Sequence, residues 1–432
     1  MERFDPMELL KRVAPLSRTL VHDDNRVALE MIGAALPNMN VEAYRSDATV
    51  WTWRVPKKWR AVESRLEDAE TGELLWDGLS HPLATVNYSL PFDGVVDRDT
   101  LAPHVFSSST RPKAIPFVYR FYNRDWGLCV PDALRGDILK RKRFRVRIQT
   151  EEIPGELLVG VCTLPGESQE EFLVVSNVCH PSIANDSISG AVAAVDLARH
   201  LAARPRRKYT YRFLFLPETI GTVAYLAHHP EVVEKAVGGF FAEMLGNANS
   251  HCLQFSRKSN TYWDRVALGT LKDAGASFRT AKFLESAAND EKILDAPGVD
   301  ISTISITRYP YPEYHTSDDN AALIDPVLLN ESCALIRALF DRIEADYVPV
   351  YLSQGPVCLA EHNLYPDWYK DPSLAKVWEG FLKVMYALDN VRSCEELAAD
   401  LDMPIAVVRH WTDAFAAKNF VRIQPHVVRR GM

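Results

Sequence analysis

Five polar side chains suited to metal binding or acid–base chemistry follow, or lie near the end of, runs with the composition of buried strands. They are His180, Asp186, Glu218, Glu243 and His315. The runs themselves span residues 171–179, 209–216, 238–245 and 299–307. In an open parallel sheet, ligands bind outside the carboxyl ends of the strands. The order therefore predicts that the five side chains meet at one rim of one sheet.

Imidazole and carboxylate groups in three or four positions suit Zn²⁺, with one position left for water. Such a metal lowers the pKa of its bound water to roughly 7, which makes hydroxide available at neutral pH. A further carboxylate that does not bind the metal must then take the proton and pass it to a leaving amine. We assign this role to Glu218.

Each of these residues also has a purely structural interpretation when it is considered alone. Asp186 precedes a helical stretch and has the residue type of a helix N-cap. His180 fits a buried, hydrogen-bonded strand end, and Glu218 and His315 fit solvated loops. Glu243 fits least well, because a buried carboxylate is costly unless it is paired, protonated or bound to a metal. The coincidence of all five, and not any single residue, favours a site.

The pattern of apolar and turn-forming residues changes along the chain, and these changes predict the elements that position the five residues. Residues 7–36 carry apolar side chains at helical spacing, which predicts helices there, and the segment 1–45 is assigned to them as the N-terminal part of the α/β domain. Short alternating runs between turn signals predict a small β-rich module at 46–155. Apolar strands alternate with helical stretches over 156–349, which predicts an α/β domain with a largely parallel sheet.

The tail, residues 350–432, begins with a connector rich in prolines and aromatic residues. Helices are expected at 393–401 and 404–418, at the spacing of a helix-turn-helix. With a hairpin of 419–423 and 426–429, this pattern is typical of a winged helix.

Length and composition narrow the functional classes. A chain of 432 residues is too long for one compact core, and 47% hydrophobic residues exclude a wholly disordered chain. A net charge of −8 is unfavourable for general binding to nucleic acid phosphates. No run approaches the roughly 20 apolar residues of a membrane span, and the first residues contain no apolar signal core. Seven scattered cysteines without a CxxC pair predict reduced thiols, so we expect a cytoplasmic protein with neither a nucleic acid nor a membrane partner.

Three motifs resemble those of a known family. The runs HPSIANDSISG at 180–190, PETIG at 217–221 and PEYHTSDDN at 312–320 look like the bacterial aminopeptidase-like zinc peptidases of DUF4910 type, relatives of the M28 zinc exopeptidases. The resemblance covers nearly the whole chain. It implies a zinc-exopeptidase-like (phosphorylase/hydrolase-like) α/β fold, a mixed sheet with helices on both faces. It also implies that 46–155 is inserted in the peptidase fold and that the tail is a winged-helix extension.

The resemblance assigns a role to each candidate residue. His180 and His315 match the first and last metal histidines, and Asp186 matches the aspartate that bridges two metals in dinuclear relatives. Glu218 matches the general base, and Glu243 matches the acidic ligand on the next strand.

Thr219 departs from the pattern, because dinuclear relatives place a metal-binding carboxylate directly after the base. We therefore expect one firm Zn²⁺ on His180, Asp186 and Glu243, and a second metal is in doubt. His315 either completes that shell or polarises the substrate carbonyl. In the alternative, Glu218 ligates a weaker second metal, which leaves the base unassigned.

Residues around the expected cleft are candidates for substrate binding. Arg308, Tyr309 and Tyr314 could hold a substrate carboxylate or oxyanion, and their alternative is packing. Arg124, in the β-rich module, could reach the cleft. Asp290 lies in a run that resembles the acidic loop of this family; we favour a solvated loop there, and a role in orienting the substrate is the alternative.

The function predicted from the sequence is zinc-dependent hydrolysis of an amide or peptide bond, like that of an aminopeptidase, on a small peptide or amide substrate. One rival is a non-catalytic binding protein that keeps the fold. Another is a winged-helix regulator that binds nucleic acid, and the basic runs 140–147 and 204–208 favour this alternative. We interpret the run 140–147 as a solvated edge strand instead. The tail is expected to serve protein contacts or homo-oligomerisation.

Overall fold

The computed structural model describes residues 4–365 and 374–428, with the backbone alone at 374–379. The strands are β1 (Asn40–Arg45), β2 (Thr49–Val50), β3 (Trp53–Arg54), β4 (Lys58–Asp68), β5 (Leu74–Asp77), β6 (Phe92–Asp97), β7 (Val105–Phe106), β8 (Leu128–Cys129), β9 (Arg143–Ile153), β10 (Glu156–Leu164), β11 (Glu171–Asn177), β12 (Thr210–Leu216), β13 (Ala236–Ala242), β14 (His251–Gln254), β15 (Phe278–Ala281), β16 (Thr303–Thr307), β17 (Tyr347–Tyr351) and β18 (Val421–Pro425). The helices are α1 (Pro6–Val13), α2 (Asp23–Gly33), α3 (Arg98–Leu101), α4 (Asp132–Ile138), α5 (Gly190–Ala202), α6 (Ile220–His228), α7 (Pro230–Lys235), α8 (Tyr262–Ala274), α9 (Glu291–Leu294), α10 (Pro326–Ala345), α11 (Leu374–Ala387), α12 (Cys394–Asp400) and α13 (Ile405–Ala417).

An eight-stranded mixed sheet forms the centre, in the order β1-β10-β12-β11-β13-β16-β14-β15. The four middle strands β12, β11, β13 and β16 are parallel to one another. All seven residues of β11 are buried, as expected of a strand covered on both faces. The carboxyl ends of these four strands share one rim, as the sequence predicted.

Helices cover both faces of this sheet, which confirms the fold class. One apolar core combines side chains of α1, α2, α5, α8 and α10 with one face of the sheet. The other core combines α6 and α9 with the opposite face and with side chains of β2 and β4.

A separate antiparallel sheet, in the order β5-β4-β9-β6, lies within residues 58–153. Its strands lie within the segment 46–155, for which the sequence predicts many short strands. The division of the chain into domains stays a prediction. The run 140–147 is not an edge strand, because β9 lies between β4 and β6. Arg145 and Arg147 on β9 pair across the sheet with Asp93 and Glu63.

Residues 117–121 alternate like a strand in the sequence but do not join a sheet. Their backbone partners lie in loops: the N–H of Phe117 donates to His315 O at 2.8 Å, and the N–H of Arg120 donates to Asn87 O at 2.8 Å. This segment therefore links the β-rich region to the loop that carries His315.

The tail contains the expected helices α12 and α13, but its hairpin prediction is wrong. Strand β18 pairs antiparallel with β17 and not with 426–428. The last described residues turn to the core instead, where the N–H of Val428 donates to the hydroxyl of Tyr209 at 2.9 Å. Arg429 lies outside the described residues, and the winged helix, which relied on this hairpin, stays a prediction.

Two further observations concern the cysteines and the length and polarity of the helices. None of the seven cysteines, all of which the structure describes, forms a disulfide. Within 4–365 and 374–428, every helix is too short or too polar to cross a lipid bilayer.

Candidate metal centre

The described side chains bring His180, Asp186 and His315 together. One ligand atom from each lies within 4.8 Å of the others. His315 Nε2 is 3.1 Å from Asp186 Oδ2, and His180 Nε2 is 3.9 Å from the same oxygen. A carboxylate between two imidazoles is a donor set that suits Zn²⁺.

His180 comes three residues after the end of β11, and the loop around it is anchored by Arg18. This buried guanidinium donates to the carbonyl oxygens of Val178 at 2.9 Å and Ile183 at 2.8 Å. Burial lowers the pKa of Arg18 to about 10, so it stays charged at neutral pH. Thus the segment that follows α1 helps to fix the backbone on both sides of His180.

Asp186 lies in a single wide turn, Asn185–Ser189, that precedes α5. The glycine that ends this motif, Gly190, is required by packing, because a Cβ atom there would collide with the backbone carbonyl of Ala242. Helix α5 can therefore begin directly against the end of β13, which brings Asp186 to the rim.

The backbone of this turn is held by Asp319. Its carboxylate accepts hydrogen bonds from the N–H groups of Asn185 at 2.6 Å and Asp186 at 3.2 Å, and from the hydroxyl of Tyr311 at 2.5 Å. Asp319 lies within the motif PEYHTSDDN, yet sequence analysis assigned it no role.

Aromatic rings fix both imidazoles. Phe117 presents its ring edge-on to His180 and to His315, with centroid separations of 5.2 and 5.3 Å. The ring of Tyr314 stacks on His315 at 3.9 Å. Tyr314 therefore has a packing role at the centre, and burial raises the pKa of its hydroxyl well above the usual range.

The protonation states suit a cation. Burial lowers the pKa of His180 to about 4, so its imidazole is neutral at pH 7 and keeps a lone pair for a metal. Burial raises the pKa of Asp186, but His180 and His315 outweigh that effect, so the pKa stays below its usual value. Asp186 Oδ2 is fully buried and accepts no hydrogen bond of regular geometry.

Glu218 follows β12 and faces the same centre. Its Oε2 lies 3.6 Å from His180 Nε2, and its Oε1 lies 3.9 Å from Lys292 Nζ. Burial and the neighbouring Asp290 raise the pKa of Glu218 to about 7. Its side chain keeps 22% of its surface exposed, so water and substrate can reach it.

Thr219 and Asp290 support the loop behind Glu218. The N–H of Thr219 donates to Asp290 Oδ1 at 3.0 Å, and Thr219 adopts a φ of 63°, which is strained for a β-branched residue. Asp290 is fully buried and also accepts a hydrogen bond from Asn177 at 2.6 Å. The solvated-loop interpretation of Asp290 is therefore wrong, and its carboxylate positions the backbone next to Glu218.

Glu243 comes directly after β13 and is fully buried, but it is not one of the three grouped ligands. Its Oε2 accepts a hydrogen bond from Asn289. Its Oε1 is buried without a hydrogen-bond partner. Burial and nearby Glu291 raise its pKa well above the usual value. The sequence had placed Glu243, not His315, among the first three ligands.

The residues present fit a metal. Two imidazoles and a carboxylate form a donor set for a metal. The buried oxygens Asp186 Oδ2 and Glu243 Oε1, which have no hydrogen-bond partner, would be costly without a cation. The position after Glu218 is occupied by Thr219, and a hydroxyl is a poor ligand for a tightly held second ion.

Residues 7–346 match the family described as a domain of unknown function, DUF4910. The chain belongs to the DUF4910 family. A curated relative from Clostridium acetobutylicum is 26% identical over 362 residues, which cover 83% of this chain and 82% of the relative. It is described as a candidate polysaccharide biosynthesis protein with an aminopeptidase-like domain.

Solved structures extend the similarity of this DUF4910 chain. A candidate peptidase from Clostridium acetobutylicum has a TM-score of 0.83 at 24% identity, over 97% of this chain and 96% of that one. A zinc aminopeptidase from Bacillus subtilis has a TM-score of 0.59 at 12% identity, over 78% and 95%. An M28 peptidase precursor from Shewanella amazonensis has a TM-score of 0.56 at 14% identity, over 77% and 91%. The DUF4910 chain thus has the fold of the M28 aminopeptidases.

Two residues proposed for substrate binding are engaged elsewhere in this DUF4910 chain. Arg308 is buried, donates to Ser332 Oγ at 3.1 Å and pairs with Glu331 at 3.1 Å, so its guanidinium serves the fold. Arg124 pairs with Glu152 inside the β-rich region. Tyr309 packs edge-on against Tyr314 at 5.1 Å and so lies one ring away from the metal centre.

Sequence reasoning missed several residues of the centre. Four residues act through contacts between segments far apart in the chain: Phe117, Asp319, Arg18 and Lys292. Of these four, only Asp319 lies in one of the three motifs. A motif does not reveal an arginine that donates to carbonyl groups or a phenylalanine that meets two imidazoles edge-on.

Proposed function

We propose that this chain is a metal-dependent hydrolase of an amide or peptide bond, acting in the manner of an aminopeptidase. The observation that carries the proposal is the position of Glu218, whose carboxylate lies 3.6 Å from His180 in a group with Asp186 and His315. A carboxyl group with a pKa of about 7 is suited to both taking and giving a proton near neutral pH.

His180, Asp186 and His315 would hold one Zn²⁺, with Glu243 as the candidate for a fourth ligand. When bound, the zinc supplies a Lewis acid and lowers the pKa of a coordinated water to about 7. Glu218 takes a proton from the attacking water and then delivers it to the nitrogen of the leaving amine. Water and amide thereby yield a carboxylic acid and an amine.

The surrounding residues keep this geometry. Phe117 and Tyr314 fix the imidazole rings, and Asp290 and Asp319 hold the loops that carry Glu218 and Asp186. Lys292 lies near Glu218 and moderates its rise in pKa, because a positive charge favours the ionised carboxylate.

The test of this proposal is metal analysis combined with a screen of aminoacyl amides. Stoichiometric zinc and amide hydrolysis would support it. Glu218→Gln is expected to retain the metal and to lower kcat by roughly 10²–10⁴, the range for loss of a general base. Glu231→Gln, a change of the same type on exposed α7, serves as the control and should leave kcat unchanged.

Two results would count against it. Unchanged turnover in Glu218→Gln refutes the assignment of the base. A chain that holds no zinc after gentle purification, and gains no activity when zinc is added, supports the non-catalytic binding protein instead.

We do not propose nucleic acid binding. In the run 140–147, Lys140, Arg141, Arg145 and Arg147 each pair with a nearby acid. Arg409 on α13 pairs with Glu395 at 3.2 Å. These five cations are already partnered, so they do not form a row of free charges for phosphates.

A further inference from the structure

A cavity of about 180 Å³ opens beside Glu218, between the β-rich region and the α/β domain. Glu218, Thr219 and Lys292 line part of it. Its walls are mainly aromatic and apolar: Trp53, Tyr119, Phe121, Tyr122, Leu20 and Ile220. Four of these six side chains belong to residues 46–155, whose role the proposed hydrolysis leaves unexplained.

The aromatic walls are held in place by one another. Tyr119 stacks on Phe121 at 4.7 Å, and Trp53 meets Tyr122 edge-on at 5.7 Å. The hydroxyl of Tyr122 donates to the carbonyl of Arg54 at 3.0 Å, which fixes that ring to the strand of Trp53. The rings of Tyr119 and Tyr122 nevertheless stay 42% and 51% exposed. Rigid, exposed aromatic surface next to a catalytic carboxylate is suited to binding a ligand.

The size and charge of the cavity limit its occupant. An apolar cavity of about 150 Å³ holds one benzene ring, so this one is suited to a single ring or a branched aliphatic group. Aromatic walls also attract cations, but Lys292 lines the same space and repels them. Neutral aromatic rings gain edge-to-face contacts with such walls beyond simple burial, which favours a ring over an aliphatic group.

We propose that this cavity receives a neutral aromatic side chain of the substrate, next to the bond that is hydrolysed. The inference rests on the proposed amide hydrolysis, and it names the substrate class: amides of phenylalanine-like residues. The β-rich region thereby supplies specificity, and the α/β domain supplies the metal ligands and Glu218. Trp53 and Phe121 are substrate-binding residues in this scheme.

The kinetic test compares the amides of phenylalanine, leucine and alanine. The value of kcat/KM is expected to fall in that order, with phenylalanine roughly 10- to 100-fold above alanine, as for side chains that differ by several carbon atoms in an apolar pocket. Trp53→Ala should lower kcat/KM for the phenylalanine amide about tenfold and leave the alanine amide within about twofold. Trp51→Ala is the matched control, because Trp51 lies in the same hairpin, is 45% exposed and does not line the cavity.

A binding test separates this inference from the proposed chemistry. Calorimetry with Glu218→Gln should show tighter binding of phenylalanine amide than of alanine amide, and Trp53→Ala in that background should remove the difference. If Trp53→Ala does not fold, Phe121→Leu replaces it, with a smaller loss expected. Hydrolysis without discrimination among the three amides, or equal binding of the two, overturns the cavity assignment while the hydrolase stands. Discrimination in binding without hydrolysis of any amide overturns the hydrolase and leaves the cavity assignment in place.

Discussion

The carboxylate of Asp319 accepts a hydrogen bond from the backbone N–H of Asp186 at 3.2 Å, and so positions a proposed metal ligand although Asp319 is not itself in the group of His180, Asp186 and His315. Asp319→Asn replaces one acceptor oxygen with a donor, which cannot pair with a backbone N–H. Because residues that orient metal ligands typically contribute a factor of about 10–100 in metal affinity, we expect a loss of that size. Competition with a chelator of known zinc affinity measures it.

Asp318→Asn provides the control for this experiment. Asp318 is the next residue, and its carboxylate pairs with Arg111 at the surface of the same loop. Ion pairs that are partly exposed contribute little, so the zinc affinity should stay close to that of the natural chain. Equal zinc affinities of the two variants would contradict the positioning role of Asp319.

His180→Ala is expected to lower zinc occupancy strongly, because it removes a neutral, buried imidazole from the three grouped ligands. Metal analysis after gel filtration is the measurement. His228→Ala is the control, since His228 Nδ1 lies 2.8 Å from the carbonyl oxygen of Ala224 in its own helix and the residue is not in the metal group. Full occupancy in His180→Ala would mean that the metal lies elsewhere.

The rim of the sheet could be predicted because its strands are simple in sequence. Runs such as 171–179 are mainly apolar, as is typical of parallel strands buried on both faces. The polar residue that ends each run then marks the rim. The predicted strands were longer than the observed ones; the predicted strand 299–307 begins only at Thr303, since the residues before it form a turn.

The choice of ligands could not be read from the order of residues. Glu243 and His315 both come after strands, but the structure groups His315 with His180 and Asp186, whereas Glu243 Oε2 accepts a hydrogen bond from Asn289. The hairpin prediction for the tail was wrong for a related reason. An apolar, alternating segment such as 421–425 pairs with whichever edge is free, and the free edge was β17, about 70 residues earlier in the chain.

The junction between the tail and the α/β domain centres on Asp346, and this carboxylate makes the last prediction. Its Oδ2 accepts from the hydroxyl of Tyr262 at 2.8 Å and lies 3.3 Å from His426 Nδ1, and its Oδ1 accepts from the N–H of Glu395 at 3.2 Å. Burial raises the pKa of Asp346, but His426 and Ser393 outweigh burial, so the pKa lies below the ordinary 3.8. A carboxyl group with a lowered pKa in the folded state stabilises it fully above the ordinary pKa, and this contribution is lost as the pH falls through the lowered value.

Asp346→Asn should therefore reduce the free energy of unfolding by about 1.5–3 kcal/mol at pH 7, the range for hydrogen bonds to a charged group. The difference from the natural chain should shrink as the pH falls below 3.8, where the natural carboxylate also becomes protonated. Urea unfolding, followed by tryptophan fluorescence, measures both quantities at each pH. Asp402→Asn is the control, because that carboxylate is 84% exposed and pairs only with Lys272 in solvent. A stability difference for Asp346→Asn that stays constant or grows at low pH would show that the ionised carboxylate does not stabilise this junction.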